Sequence, residues 1–251
     1  MIDLHTHILP GLDDGPRTLG ESVELARAFV AEGVTIVAGT PHVRYDYATS
    51  VEAMEAARTR LRAELEAQGI PLDVRGGGEV ALDELELLGE SALAGFGLGG
   101  NPRLVLLEFP YYGWPLPLES IVSELVARRV VPVLAHPERN ADVAERPERL
   151  RPVVQAGAYV QLTASSLDGT AGSALARCAR RLLDSGLAHL VASDWHGGTI
   201  RRSGLRAGAL AAGDPALAAW LTEAVPRALL AGMPPPPRPT ALGSRRRWRR
   251  G

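Results

Sequence analysis

Short apolar runs alternate along the chain with longer amphipathic stretches, and no other feature limits the fold as much. The runs occupy residues 2–4, 34–38, 72–74, 104–107, 130–135, 159–162 and 187–192. Between most of them lie segments with apolar residues at i, i+3 and i+4, clearest at 22–30, 51–65, 118–127 and 174–183. Repeated strand–helix alternation predicts an α/β architecture with a parallel sheet. Seven strands fit one closed or nearly closed barrel, and a doubly wound open sheet is the competing arrangement. No internal repeat is visible.

Composition narrows the chemistry. With 251 residues, 46% hydrophobic and 22% charged, the chain can bury a large core. Its net charge of −2 lacks the basic excess of a nucleic-acid binder. The single cysteine, Cys178, rules out a disulfide framework and a cysteine-rich zinc site. All 27 basic residues are arginine, which removes a phosphate-loop lysine and a Schiff-base lysine and reads first as the bias of a GC-rich genome. No apolar stretch is long enough for a membrane span. The opening Met1-Ile2-Asp3-Leu4-His5 has neither a basic nor an apolar leader region, so a cytoplasmic protein without a signal peptide is expected.

The predicted domain covers residues 1–232. Residues 233–251 form a tail, proline-rich at first (Met233-Pro234-Pro235-Pro236-Pro237) and then arginine-rich. Six arginines and no acid fall from Arg238 onward, leaving a body near −8 and a tail near +6. Such a tail is either a flexible solvated extension or a weak electrostatic contact with anionic lipid or an acidic partner.

Histidines and carboxylates gather where the apolar runs stop. His5 and His7 follow the first, His42 the second, Glu79 the third after Gly76-Gly77-Gly78, and Glu108 the fourth. His136 ends the fifth, and Asp194 and His196 end the seventh. In a parallel α/β barrel the carboxyl ends of the strands form one face, where active sites are built. Five of the six histidines belong to this set, with only His189 outside it. Imidazole and carboxylate without thiolate suit zinc, manganese or iron. Asp14, from the Asp13-Asp14-Gly15 turn, completes nine candidate ligands, too many for one ion and suited to two or three. Asp13 is read as a turn residue or a support to a ligand. Taken singly, each of these residues is more often structural; their shared placement makes the metal reading.

Asp3-Leu4-His5-Thr6-His7, Asp13-Asp14-Gly15-Pro16, Ala135-His136-Pro137-Glu138-Arg139 and Ser193-Asp194-Trp195-His196, in this order, resemble the polymerase-and-histidinol-phosphatase (PHP) superfamily. Within it the chain is similar to the bacterial capsular polysaccharide tyrosine phosphatases of the CpsB/CapC/YwqE type, over residues 1 to about 230. Asp14 and Glu108 stand where the histidinol phosphatases typically carry histidines. The resemblance implies a distorted (β/α)7 barrel in one domain, with two or three divalent ions, usually manganese. It further implies His5, His7, Glu79 and Asp194 around one ion, with Glu79 shared with a second held by Glu108 and His136. Asp14, His42 and His196 would hold the third.

Ions in such a site lower the pKa of water and make a hydroxide nucleophile available at neutral pH. In-line attack on phosphorus, with no covalent phosphoenzyme, is the expected chemistry, with His136, Asp194 and Arg139 as the catalytic set. Arg139 is the first candidate for pairing with phosphate, followed by Arg44, Arg201 and Arg202. Tyr111, Tyr112 and Trp114 either wall a pocket for an aromatic leaving group or pack a loop. A cysteine-based mechanism is excluded, because the sixth position after Cys178 is Asp184 and not arginine. The resemblance points to the phosphotyrosine tail of a bacterial tyrosine kinase as substrate, and to control of capsule or exopolysaccharide synthesis. A small-molecule phosphatase, such as one for histidinol phosphate, and a non-catalytic metal-binding docking module are the rival readings. The acidic body disfavours a nuclease.

Overall fold

The computed structural model describes residues 1–197 and 204–240. Among them are ten strands: β1 (Ile2–Thr6), β2 (Ile36–Gly39), β3 (His42–Arg44), β4 (Tyr47–Ala48), β5 (Asp73–Arg75), β6 (Glu79–Ala81), β7 (Leu104–Glu108), β8 (Val131–Ala135), β9 (Tyr159–Thr163) and β10 (Leu190–Ala192). Two ladders, β1-β2-β5 and β10-β9-β8-β7-β6-β3-β4, account for all of them. Every pairing is parallel except the β3–β4 hairpin.

The ladders are parts of one closed barrel. β2 and β3 are successive halves of a bent stave, as are β5 and β6. Thr40 N–H donates to Thr6 O at 2.8 Å, and Glu79 N–H donates to Pro41 O at 3.0 Å, so pairing continues across both bends. Asp194 N–H donates to His5 O at 2.8 Å and His7 N–H to Trp195 O at 3.0 Å, which zips β1 to the chain leaving β10. The result is a ring of seven staves, the α/β barrel that the apolar runs predict. All five residues of β1 and of β7 are buried, as expected of strands covered on both faces.

The bends correct the sequence reading at two positions. His42 and Glu79 do not trail the second and third strands; each opens a new one, and the two face each other in register. Pro41 lacks the N–H that an unbroken ladder needs there. In the other stave the chain passes too close to its neighbours for side chains: a Cβ on Gly78 would lie 2.8 Å from Phe96 Cδ1 and 3.0 Å from Val43 Cγ2. Both breaks come just before a candidate ligand and swing it toward the barrel axis.

The helices form where their caps and apolar stripes predict. Leu19–Ala31 starts in a capping box, with Glu21 N–H donating to Thr18 Oγ1 at 3.2 Å and Thr18 N–H to Glu21 Oε2 at 3.3 Å. It buries Ser22, Val23, Leu25, Ala26 and Phe29. Val51–Ala67 buries Met54, Ala57, Leu61 and Leu65. Ser173–Asp184 buries Cys178, whose thiol burial pushes up to about 12, so it is no thiolate nucleophile. No helix among the described residues is long and apolar enough to cross a membrane. Residues 233–240 run without regular secondary structure, and the Trp220 indole donates to Pro236 O at 2.8 Å. The remainder of the arginine-rich tail lies outside the described residues.

His189, the histidine outside the ligand set, is structural. Its Nδ1 accepts from Val160 N–H at 3.1 Å, and its own N–H donates to Val160 O at 2.9 Å, tying β9 to the start of β10. Burial, helped by the nearby Arg238 guanidinium, lowers its pKa to about 4. The unfolded chain therefore binds a proton at this site below about 6.5 that the folded chain refuses until about 4. Folding stability should fall as pH drops through that window, by up to about 3 kcal/mol from this group. His189→Asn keeps an acceptor near the same place and removes the titration. Chemical denaturation at pH 4.5 and 7 should show a smaller pH difference in the variant than in the wild type.

Candidate metal centre

β1 carries His5 and His7 to the centre because an extended segment places alternate residues on one side. Their Nε2 atoms lie 3.3 Å apart. Glu79 Oε2 stands 3.2 Å from His5 Nε2 and 3.4 Å from His7 Nε2. Asp194 Oδ1 is 3.4 Å from the first and 3.3 Å from the second. His5, His7 and Asp194 thus form one group, with the three separations at 3.3–3.4 Å, and Glu79 approaches both imidazoles without joining Asp194 in that group. Atoms held about 2.1 Å from one cation at tetrahedral corners stand about 3.4 Å apart, so the spacing fits a divalent ion.

Three further groupings overlap this one. His136 Nε2 lies 2.8 Å from Glu79 Oε1 and joins His5 and Glu79. His42, Glu79 and Glu108 converge, with His42 Nδ1 at 2.9 Å from Glu79 Oε2 and 3.8 Å from Glu108 Oε2. His7, Asp14, His42 and His196 form the fourth, with Asp14 Oδ1 at 3.1 Å from His196 Nε2 and 3.5 Å from His42 Nε2. All nine residues of the expected ligand set therefore meet at one end of the barrel. Glu108 sits with His42 and Glu79 rather than with His136. Asp14 is the member open to solvent, with 39% of its side chain exposed.

The donors have the character of ligands. Glu79 Oε2, His42 Nδ1 and His136 Nδ1 are buried and make no hydrogen bond, although Glu79 Oε2 and His42 Nδ1 lie close together. Two facing imidazole nitrogens also repel unless a proton or a cation lies between them. Burial alone would raise the Glu79 pKa, but His5, His136 and His42 hold it well below the carboxylate range. Burial would likewise lower His7, yet Asp13, Asp194 and Glu79 raise it well above the usual value. Burial and the Arg139 charge bring His136 down to about 4, which leaves its imidazole neutral, as a ligand must be.

The far sides of the imidazoles are held by residues behind the ligands. Asp13 Oδ2 accepts from His7 Nδ1 at 2.6 Å and from His42 N–H at 3.1 Å. Gln161 Oε1 lies 3.0 Å from His5 Nδ1 and accepts from His136 N–H at 3.2 Å. Asp3 accepts from Ser193 N–H at 3.1 Å and from His5 N–H at 3.3 Å, and burial raises its carboxyl to about 7. Asp13 is where the sequence reading has it; Asp3 and Gln161 escape that reading. Gln161 does leave a trace in the sequence, as an amide in the middle of the apolar run 159–162. His136 (φ 35°) and Asp194 (φ 52°) adopt left-handed backbone, which is costly for residues other than glycine. Each turns its side chain inward at the end of a stave.

Arg139 is buried beside the cluster, its Nη2 2.8 Å from Asp194 Oδ2 and 3.1 Å from Thr163 Oγ1. Arg44 reaches across from β3, its Nη1 2.7 Å from Glu108 Oε1 and its Nε 2.7 Å from Asp46 Oδ1. Tyr47 stacks on His42, centroids 5.6 Å apart. The Tyr111 ring lies parallel to that of His136 at 6.2 Å, and Tyr112 points to solvent. Trp114 packs its loop, edge-on to Phe109 and beneath Arg149. Arg201 and Arg202 lie outside the described residues.

Comparison with known proteins points the same way. The family model for capsular polysaccharide synthesis, CpsB/CapC, matches residues 1–212. The tyrosine-protein phosphatase YwqE of Bacillus subtilis (strain 168) is 37% identical over 199 residues, covering 78% of this chain and 77% of the relative. The putative tyrosine-protein phosphatase CapC of Staphylococcus aureus is 32% identical over 204 residues, 80% of this chain and 79% of the relative. A solved structure from work on YwqE of Bacillus subtilis and CpsB of Streptococcus pneumoniae, described as unique metal-dependent tyrosine phosphatases, superposes with a TM-score of 0.83. It is 32% identical and covers 96% of this chain and 99% of the other, so the two share the PHP-type fold.

If these clusters bind divalent ions, metal is also a folding ligand. Restoring Mn2+ or Zn2+ to the stripped protein at about 100 times Kd should add about 2.7 kcal/mol per site. In a chain of this size that raises Tm by several degrees. Glu79→Gln, which belongs to two of the clusters and also approaches His7, should remove most of the shift in a calorimetric scan. Asp13→Asn should weaken metal binding by about 10–100-fold in a competition titration, because it disturbs the partner of His7 Nδ1.

Proposed function

Because the chain belongs to the CpsB/CapC family of capsular polysaccharide synthesis, we propose that it is a metal-dependent protein-tyrosine phosphatase. Its substrate is the phosphotyrosine tail of a bacterial tyrosine kinase, and its role is the control of capsule or exopolysaccharide synthesis. The observation that carries the reading is the convergence of nine ligand-type side chains, in four overlapping groups, beside the buried Arg139. A closed structural zinc site needs four ligands. Nine, with Asp14 open to solvent, suit a multi-ion catalytic centre.

Divalent ions, with manganese the first candidate, would supply Lewis acidity toward a phosphoryl oxygen and would activate water. His5, His7, Glu79 and Asp194 are the residues to hold one ion. Glu79 with His42 and Glu108, and Asp14 with His7, His42 and His196, are those for the others, with His136 reaching Glu79 from beside His5. The chain's own contribution is placement and charge. Burial would weaken the Arg139 charge, but Asp194 and Glu138 more than offset it, so the guanidinium stays cationic beside the site. A fixed guanidinium pairs with phosphate without having to be ordered at the moment of reaction. Arg44, clamped by Asp46 and Glu108, is a second cation at the mouth. Tyr111, parallel to His136 and partly exposed, offers a ring face to an aromatic leaving group, with Tyr112 beside it. Hydrolysis returns tyrosine and inorganic phosphate.

The test is phosphate release from a phosphotyrosine peptide by stripped protein, with Mn2+, Zn2+, Mg2+ or nothing restored. Release should depend on metal, vanish in His136→Ala and persist in Cys178→Ala. No release by folded, metal-loaded protein, together with turnover of histidinol phosphate, would replace this reading with a small-molecule phosphatase.

A further inference from the structure

Three neighbouring loops at the mouth expose apolar side chains on anchored bases. Tyr45, at the tip of the β3–β4 hairpin, is 92% exposed. The hairpin beneath it is held by the Arg44 contacts to Glu108 and Asp46 and by the stacking of Tyr47 on His42. After β6 the chain makes a short turn in which Leu82, Leu85 and Leu88 pack against the core, while Leu87 stands 77% exposed with Asp83 and Glu86. After β7, Tyr112 and Leu116 are 85% and 89% exposed. The Asn140 amide pins that loop by donating to Pro110 O at 2.7 Å and Gly113 O at 2.9 Å. β3, β6 and β7 are consecutive in the sheet, so the three loops form one arc of the rim.

The arc is also acidic. Its charge comes from the loop after β6, where residues 82–90 carry Asp83, Glu84, Glu86 and Glu90 and no basic residue, while residues 109–117 after β7 carry no charge. The arginines that touch these loops already have partners: Arg44 has Asp46 and Glu108, Arg128 has Glu90, and Arg149 has Asp142. Asp83 and Glu86 are left facing solvent beside Leu87. An apolar tip on an anchored base loses little conformational freedom when covered, which favours contact with a partner. The charge sets the complement of that partner.

We propose that this arc is the docking surface for the substrate segment flanking the phosphotyrosine, and that it selects flanks combining basic and bulky apolar residues. The proposal rests on the phosphatase reading and deepens it. The ion cluster and Arg139 take the phosphoryl group. The arc takes the peptide, with Tyr45, Leu87, Tyr112 and Leu116 covering its apolar side chains and Asp83 and Glu86 pairing with its cations.

The test compares kcat/KM of metal-loaded protein on two phosphotyrosine peptides of equal length, one with Arg and Leu flanks and one with Glu and Gly flanks, each divided by the value for free phosphotyrosine. The basic, apolar peptide should be preferred by about tenfold or more, mainly through KM, and less so as salt is raised. In the double variant Asp83→Arg/Glu86→Arg the preference should vanish or reverse, with Tm and metal uptake as in the wild type. Leu87→Ser/Leu116→Ser should lower the preference without reversing it. Turnover of free phosphotyrosine with equal use of both peptides overturns the docking surface alone. No turnover of any phosphotyrosine substrate overturns it together with the phosphatase reading. A wild-type dimer in sedimentation that the arginine substitutions dissociate identifies a second copy as the occupant, and also overturns it.

Discussion

One carboxylate organises the molecule. Glu79 is wholly buried, and its two oxygens face His42 at 2.9 Å, His5 at 3.2 Å, His7 at 3.4 Å and His136 at 2.8 Å. An isolated buried carboxylate is too costly to remain ionised unless positive or hydrogen-bonding partners surround it. Here the partners come from β1, β3 and the end of β8, which only a closed ring brings to one point. The site is therefore not grafted onto a finished barrel. The broken staves, the glycine approach at Gly78 and the left-handed residues at 136 and 194 all serve to deliver side chains to this carboxylate. Each of these features would be a defect in a barrel built only for stability.

The legible and illegible parts of the fold divide along a physical line. Continuous apolar runs report strands that are covered on both faces, so β1, β2, β5, β7, β8, β9 and β10 can all be found from sequence. β3, β4 and β6 cannot. They are two or three residues long, and the polar residues His42, Arg44 and Glu79 occupy positions where an apolar signal would be read. The ligand set is legible because imidazoles and carboxylates at strand ends are rare without a purpose. The residues behind them are harder to see. Asp13 is visible through its turn, but Asp3 and Gln161 act through hydrogen bonds to residues far away in sequence, and no local pattern carries that information. The Arg44–Asp46–Glu108 clamp is hidden for the same reason, since it joins the β3 hairpin to the end of β7.

Arg139 shows how one residue can serve both the ligands and the mouth. Its Nη2 is committed to Asp194 Oδ2 and Thr163 Oγ1, so it restrains a ligand carboxylate from the side away from His5 and His7. A guanidinium has five N–H donors in a fixed plane, and one nitrogen engaged in this way leaves others for an anion. Lysine has no such division of labour, because a single ammonium is one point of charge. A chain that uses arginine for every basic residue already holds the residue type that this geometry requires.

The charge layout then separates two tasks. At the centre, cations are needed to balance Asp14, Glu79, Glu108 and Asp194, and a bound ion set would leave that centre attractive to a phosphoryl dianion. On the arc formed by the loops after β3, β6 and β7, the solvent-facing Asp83 and Glu86 of the middle loop repel a second anion. A phosphate can be received only at the centre, and a polyanion such as a nucleic acid would meet repulsion along the rim. What fits both fields is a ligand with its negative charge concentrated at one point and neutral or positive groups around it. A phosphorylated side chain on a basic, apolar segment has that pattern, and a uniformly anionic chain does not.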